Sequence, residues 1–228
     1  MIHMRNICKT YDTGAVALDN VNIDIAKGEF VFIVGASGAG KSTFIKMLFR
    51  EELPTSGKLL VNGHDVINMD RKEVPYLRRG LGVIFQDYRL LPDKTVFENV
   101  AFAMQVIEAP RRIMQRSVNA VLDVVGLRDK YRSFPSQLSG GEQQRVAIAR
   151  AIVNDPAIVI ADEPTGNLDP ETSWEIMDIF QRINKAGTTI VMATHDRNIV
   201  DAMKKRVIAI EDGRIVRDQL RGGYGYEA

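Results

Sequence analysis

The sequence predicts an α/β fold: a mixed, mainly parallel core sheet, preceded by an antiparallel β-subdomain and interrupted by an inserted helical subdomain. Continuous apolar runs at residues 30–34, 157–161 and 189–193 read as strands buried on both faces. Val21, Ile23 and Ile25 alternate with polar residues, as in a half-buried strand. Between residues 88 and 155 the apolar period changes from strand-like to helical.

Taken in order, the alternating run at 21–25 and the apolar stretch Leu59 to Val61, which enters the turn pair Asn62-Gly63, predict the antiparallel sheet. Between them the 30–34 strand ends at Gly35 and a helical stretch follows at 43–50. Ile113, Val118, Val121, Leu122 and Val125 fall on one helical face, with Pro110 suited to the start and Gly126 to the end. A second helical stretch is expected at 143–153. Val207 to Ile210 and Arg214 to Val216 flank Asp212-Gly213, a hairpin signal. These readings place residues 1–87 and 156–220 in the core with its β-subdomain, 88–155 in the helical subdomain, and 221–228 in a glycine-rich flexible tail, all within one domain.

At 228 residues and 45% hydrophobic, the chain has ample apolar material for a large core. Thirty Lys plus Arg against 29 Asp plus Glu leave a net charge of +1, so no global field favours nucleic acid or an anionic membrane. Residues 1–12 lack the apolar centre of a signal peptide and the apolar runs are too short to cross a bilayer, so a cytosolic location is expected. Cys8 is the single cysteine, which excludes an internal disulfide, and it is expected to be a small buried hydrophobe.

The chemistry concentrates where apolar strands end, the place where α/β sheets bind ligands. Gly35, Ala36, Ser37, Gly38, Ala39, Gly40, Lys41 and Ser42 match the phosphate-loop pattern between a strand and a helix. Backbone N–H groups of such a loop close around a phosphate, and the helix that follows directs its positive end at the same anion. Lys41 is the counter-charge for β- and γ-oxygens, the Ser42 hydroxyl a ligand for Mg²⁺, and Thr43 a candidate for the α-phosphate. Asp162 and Glu163 emerge from the 157–161 strand, where Asp162 would hold Mg²⁺ and Glu163 would orient or deprotonate the attacking water. Leu138-Ser139-Gly140-Gly141-Glu142 precedes a helical stretch and fits a capping box through Ser139 and Glu142. Two glycines are poor helix formers, however, and open N–H groups there suit a second phosphate contact.

Phosphate loop, LSGGE, IVIADE and His195, in this order, resemble the nucleotide-binding domain of the ABC ATPase family over nearly the whole chain. The resemblance implies ATP and Mg²⁺ as cofactors and a homodimer in the ATP-bound state, with Ser139, Gly140, Gly141, Glu142 and Asp169 acting in trans from the second subunit. It also implies that Tyr11 stacks on adenine, that Gln86 links Mg²⁺ and water to the helical subdomain, and that His195 bonds the γ-phosphate. Glu142, where many relatives have glutamine, and Gly166-Asn167 before Leu168-Asp169 depart from the commoner pattern. Neither departure removes a group needed for hydrolysis.

Residues 162–169 are similar to a subgroup whose membrane partners transmit mechanical work, and residues 73–79, 85–91 and 193–196 resemble its cell-division branch. That likeness implies a peripheral place on the inner face of the membrane. An integral membrane partner would dock beside Tyr88, Leu90 and Leu91, and cell-wall hydrolases would be reached indirectly through it. Lipoprotein-release and macrolide-efflux ATPases form the alternative. A DNA-associated ATPase is disfavoured, because neither a heptad array nor an overall basic charge is present.

Overall fold

A computed structural model of the chain describes residues 1–225. In chain order these form β1 (Ile2–Thr10), β2 (Val16–Ile25), β3 (Phe30–Val34), α1 (Lys41–Leu48), β4 (Ser56–Val61), β5 (His64–Asp65), α2 (Val74–Arg79), β6 (Leu81–Ile84), α3 (Val96–Gln105), α4 (Arg111–Val124), α5 (Gly140–Ile152), β7 (Ile158–Asp162), α6 (Pro170–Lys185), β8 (Thr189–Ala193), α7 (Arg197–Met203), β9 (Arg206–Glu211) and β10 (Arg214–Gln219).

The core sheet runs β10-β9-β3-β8-β7-β6, parallel throughout except for the β9–β10 hairpin at one edge. Its central strands alternate between two apolar layers, which is why they read as continuous runs. Phe32, Val159 and Met192 face the helical side with α3 to α6, while Ile33, Ile160 and Val191 face α1 and the second sheet. Burial on both faces fixes the register, since a slip of one residue would exchange the two sets.

The second sheet is antiparallel in the order β2-β1-β4-β5. β1 lies between β2 and β4 but shows no clean alternation, because its pairing with β2 shifts register after Met4 and again after Ile7. Both expected hairpins form on residues with positive φ, Asn62 (50°) with Gly63 (83°) and Asp212 (46°) with Gly213 (77°). That is the backbone a two-residue turn between twisted strands requires.

Two expectations are corrected. Cys8 is only part-buried, its sulfur accepting the Asn20 N–H at 3.3 Å, because it lies where β1 leaves regular pairing. The glycine-rich tail is not free from residue 221: Gly222 is buried and Tyr224 packs against the helical-side core. Residues 226–228 of that expected tail lie outside the described residues. Among the described residues, no helix is long and apolar enough to cross a membrane.

Candidate active site

The site grows from the carboxyl end of β3, which is flanked by β8 and β9. Gly35 leaves the strand at φ 149°, and a Cβ there would lie 2.2 Å from the Ile210 carbonyl oxygen, so only glycine lets the chain cross the end of β9. The loop then feeds α1, whose N-cap residue Gly40 supplies no side-chain cap. The first N–H groups of α1 therefore remain available to an anion. Lys41, only 9% exposed, donates to the carbonyls of Gly35 (2.8 Å) and Ala36 (3.0 Å), which folds its ammonium over the loop. Tyr11 Oη and Thr43 Oγ1 are hydrogen-bonded at 3.0 Å, tying the predicted adenine-stacking residue to the helix start.

Asp162 ends β7, paired with Ala193 of β8, and its carboxylate is hydrogen-bonded to the Ser42 side chain. Burial pushes its carboxyl up from the ordinary carboxylate range and the charge of Glu163 pushes it further, against the opposing Ser42 bond. Glu163 follows at φ 49°, a strained left-handed conformation held by its N–H bond to the Ala193 carbonyl at 3.0 Å. Its Oε2 lies 2.7 Å from His195 Nδ1 and accepts the His195 backbone N–H at 3.3 Å. Adjacent carboxylates thus have different partners, one a hydroxyl beneath the loop and the other a histidine at the mouth.

A cavity of about 750 Å³ unites Tyr11, the loop at Gly35, Ala36, Ser37, Gly38, Gly40, Lys41, Ser42 and Thr43, and Gln86, Glu163 and His195. Ala39 does not line it; that side chain is 7% exposed and packs into the core beneath. The Ser42 hydroxyl, the half-buried Asp162 carboxylate and the Gln86 amide oxygen are donors of the hardness Mg²⁺ prefers. Among the described residues no group of three or more His, Cys, Asp or Glu is arranged for a metal. Such a partial oxygen set fits an ion that keeps waters and phosphate oxygens in its shell.

The signature residues lie elsewhere. Ser139 caps α5, its hydroxyl accepting the Glu142 N–H at 3.2 Å while Glu142 Oε2 accepts the Ser139 N–H at 2.8 Å. That N–H holds the Glu142 carboxyl below the usual glutamate range. Gly141 is buried against Thr172, and Asp169 caps α6 through the Thr172 N–H at 3.0 Å. None of Ser139, Gly140, Gly141, Glu142 or Asp169 lines the phosphate-loop cavity of its own chain.

A second concavity, of about 550 Å³, opens between β6 and the helical layer. Leu81, Val83, Phe85, Phe102 and Val106 give it an apolar floor, and Arg78, Arg79, Arg89 and Arg150 supply its charged groups. Of the proposed docking residues only Leu91 lines it. Leu90 packs against the core, and the Tyr88 hydroxyl is directed at Gly140, 3.1 Å from where a Cβ would stand. Tyr88 and Arg89 are both left-handed, at φ 58° and 47°, and Arg150 of α5 donates to both their carbonyls, at 2.8 and 2.6 Å.

Three participants escape sequence reasoning. Asn167 pairs reciprocally with Gln86, through Gln86 Nε2 at 3.4 Å and the Gln86 carbonyl at 3.3 Å. Arg150 looks like an ordinary helix-surface arginine until its acceptors are known. Tyr224 lines the nucleotide cavity from the far end of the chain, and its only signal is an aromatic residue within a run of glycines.

Comparison with known proteins agrees with this geometry. The ABC transporter family profile matches residues 18–166. The chain is 60% identical over 225 residues to the cell division ATP-binding protein FtsE of Bacillus subtilis, covering 99% of each. Against the protein of the same name from Escherichia coli it is 47% identical over 227 residues, covering 100% of each. Among solved structures it resembles the dimeric ATP-binding cassette MJ0796 in a post-hydrolysis state bound to ADP and Pi. The TM-score there is 0.88 at 36% identity, over 98% of this chain and 100% of that one. It also resembles cbiO1 of the cbiONQ transporter complex from Clostridium perfringens, with a TM-score of 0.89 at 31% identity, covering 96% and 88%.

Proposed function

Because the chain belongs to the ABC transporter family and is an ATP-hydrolysing member of it, we propose that it closes as a homodimer on MgATP and passes that motion to an integral membrane protein resembling FtsX. Through this partner it regulates cell-wall hydrolases during division. The full-length relatives named FtsE support the cell-division role.

In this reading the open N–H groups of the loop and α1 receive the β-phosphate, and Lys41 exchanges its carbonyl partners for phosphate oxygens. Tyr11 stacks on the adenine, and Thr43 lies at the α-phosphate. Ser42, Asp162 and Gln86 would hold Mg²⁺, which screens the charge of the transferring phosphoryl group. Glu163 orients the attacking water and takes its proton, and His195 steadies both Glu163 and the γ-phosphate side. Phosphoryl transfer depends mainly on positioning and charge stabilisation, so fixed partners for each carboxylate are what the chemistry needs.

The second copy supplies Ser139, Gly140, Gly141, Glu142 and Asp169. The start of α5 at the exposed Ser139, away from its own cavity, supports that assignment. The arginine-lined groove, with Leu91 at its edge, would accept the cytoplasmic segment of the membrane partner.

The observation that carries the proposal is the path between the two sites. α5 is capped by Ser139, and its Arg150 grips Tyr88 and Arg89, two and three residues beyond Gln86. One rigid helix therefore joins the trans-acting signature, the cavity loop and the groove. A Glu163→Gln protein used as bait on native membranes with ATP is expected to retain an FtsX-like protein. Recovery of a lipoprotein-release, drug-efflux or importer permease instead would refute the cell-division reading.

A further inference from the structure

We propose that the C-terminal segment Gly222 to Tyr224 is a strap that belongs to the nucleotide site, with Tyr224 as a positioning residue for His195 and Glu163. The proposal rests on the ATP-hydrolysing cavity and is independent of the membrane partner.

The strap is built to lie close. The Gly222 N–H donates to the Lys205 carbonyl at 3.1 Å, and a Cβ at Gly222 would stand 3.0 Å from Val207 Cβ. At Gly223 a Cβ would stand 2.8 Å from Asp201 Oδ1. Paired glycines thus bring the backbone down onto the start of β9 and the side of α7, so close that a side chain at either position would require Val207 or the Asp201 carboxylate to shift. The composition that suggests a frayed tail serves packing instead.

Tyr224 is then gripped from several sides. Its N–H donates to Asp201 Oδ1 at 2.5 Å, and its carbonyl accepts from Arg217 Nη2 of β10 at 2.7 Å. The Arg197 guanidinium stands 5.1 Å from its ring centroid, within cation–π range. The ring packs against the helical-side core and lines the same cavity as Glu163 and His195.

Arg197 and Asp201 both belong to α7, which is capped by Asp196 through the Ile199 N–H at 3.2 Å. His195 is the residue before that cap, and its backbone N–H and ring nitrogen both hold Glu163. A brace on α7 therefore acts on the position of His195 and, through it, on the Glu163 carboxylate. Loosening it would disturb the geometry of the reacting groups more than the grip of the loop on the phosphates, because Lys41 and the N-terminus of α1 lie on other elements.

The test is steady-state ATP hydrolysis by the full chain, with kcat and KM separated. Tyr224→Ala is expected to lower kcat by about tenfold while KM for ATP stays within about twofold. Tyr224→Phe, which keeps ring and backbone, is expected to stay within about twofold of the parent in both. Arg221→Ala, at the exposed residue just before the strap, is the control for general disturbance and should match the parent. Parental kinetics in Tyr224→Ala would overturn the proposal. So would a Tyr224→Phe protein as impaired as Tyr224→Ala, or a loss of kcat that merely follows a lowered melting temperature. Undiminished turnover by Lys41→Ala would instead refute the phosphate site itself, so the two failures are distinguishable.

Discussion

Glu163 Oε2 lies 2.7 Å from His195 Nδ1 and also accepts the His195 backbone N–H. The glutamate side chain is 16% exposed and the histidine 65%, so the carboxylate is screened from bulk water while the histidine faces the opening. Asp162 is tied to Ser42, whereas Glu163 lines the cavity.

Glu163→Gln preserves shape and one hydrogen-bond acceptor but cannot take a proton. Turnover should fall by about 10²–10⁴, the range for loss of a general base. Nucleotide affinity should change little, because the loop proposed to hold the phosphates lies between β3 and α1, away from Glu163 on the β7 end. Phosphate release and labelled-ATP binding on the same preparation check both; normal turnover would remove Glu163 from the role of base.

Arg150→Met should be costly although the residue lies outside the cavity. It leaves the carbonyls of two consecutive left-handed residues, Tyr88 and Arg89, without their charged donor. A shielded bond to a charged group contributes about 1.5–3 kcal/mol; the bond to Tyr88 is part-buried and the one to Arg89 is exposed and adds little, so a loss of about 2 kcal/mol overall is expected. Thermal unfolding would read this as a midpoint lowered by about 4–8 °C for a domain of this size. Arg150→Lys should not restore it, since an ammonium lacks the planar fork that reaches two carbonyls.

The legible parts were those with a local physical cause. Strands buried on both faces must be continuously apolar, so β3, β7 and β8 stood out, and a phosphate loop needs its glycines and lysine in one short stretch. Tyr11 and Gln86 carry no such local mark and emerged only through family resemblance; the structure brings both to the cavity. β1 was obscure because its register shifts break alternation. The Arg150 clamp and the Tyr224 strap were hidden for another reason: each joins residues about 60 apart or brings a chain end back to the core, contacts that no window along the sequence contains.

Glu142→Gln bears on the departure from relatives with glutamine at this position. The Ser139 N–H first, and Lys130 after it, hold the Glu142 carboxyl below its ordinary range. A carboxyl depressed on folding contributes stability above its unfolded pKa, and that contribution is lost as pH falls through the folded value. The parent should therefore be more stable than Glu142→Gln near neutrality, by about 0.5–1 kcal/mol for a charged group at a helix start. The two should converge in acid, below the usual glutamate range. A stability difference that persists unchanged into acid would show that the charge is not its source.

Gly141 separates a packing requirement from a chemical one. A Cβ there would stand 2.3 Å from Thr172 Cγ2, so Gly141→Ala must displace the Thr172 side chain or push α5 away from α6 even without a nucleotide. Overpacking of this kind destabilises by about 1–3 kcal/mol. Thr172→Ser removes the offending methyl and keeps the hydroxyl that donates to Asp169 Oδ2 at 2.6 Å. The double variant should therefore recover most of the melting temperature lost by Gly141→Ala. Hydrolysis should not recover with it if Gly141 also presents its backbone to the γ-phosphate of a second subunit, because a methyl at this helix start would still stand in the closing interface. Full recovery of both stability and turnover would confine Gly141 to the α5–α6 contact and remove it from the trans site.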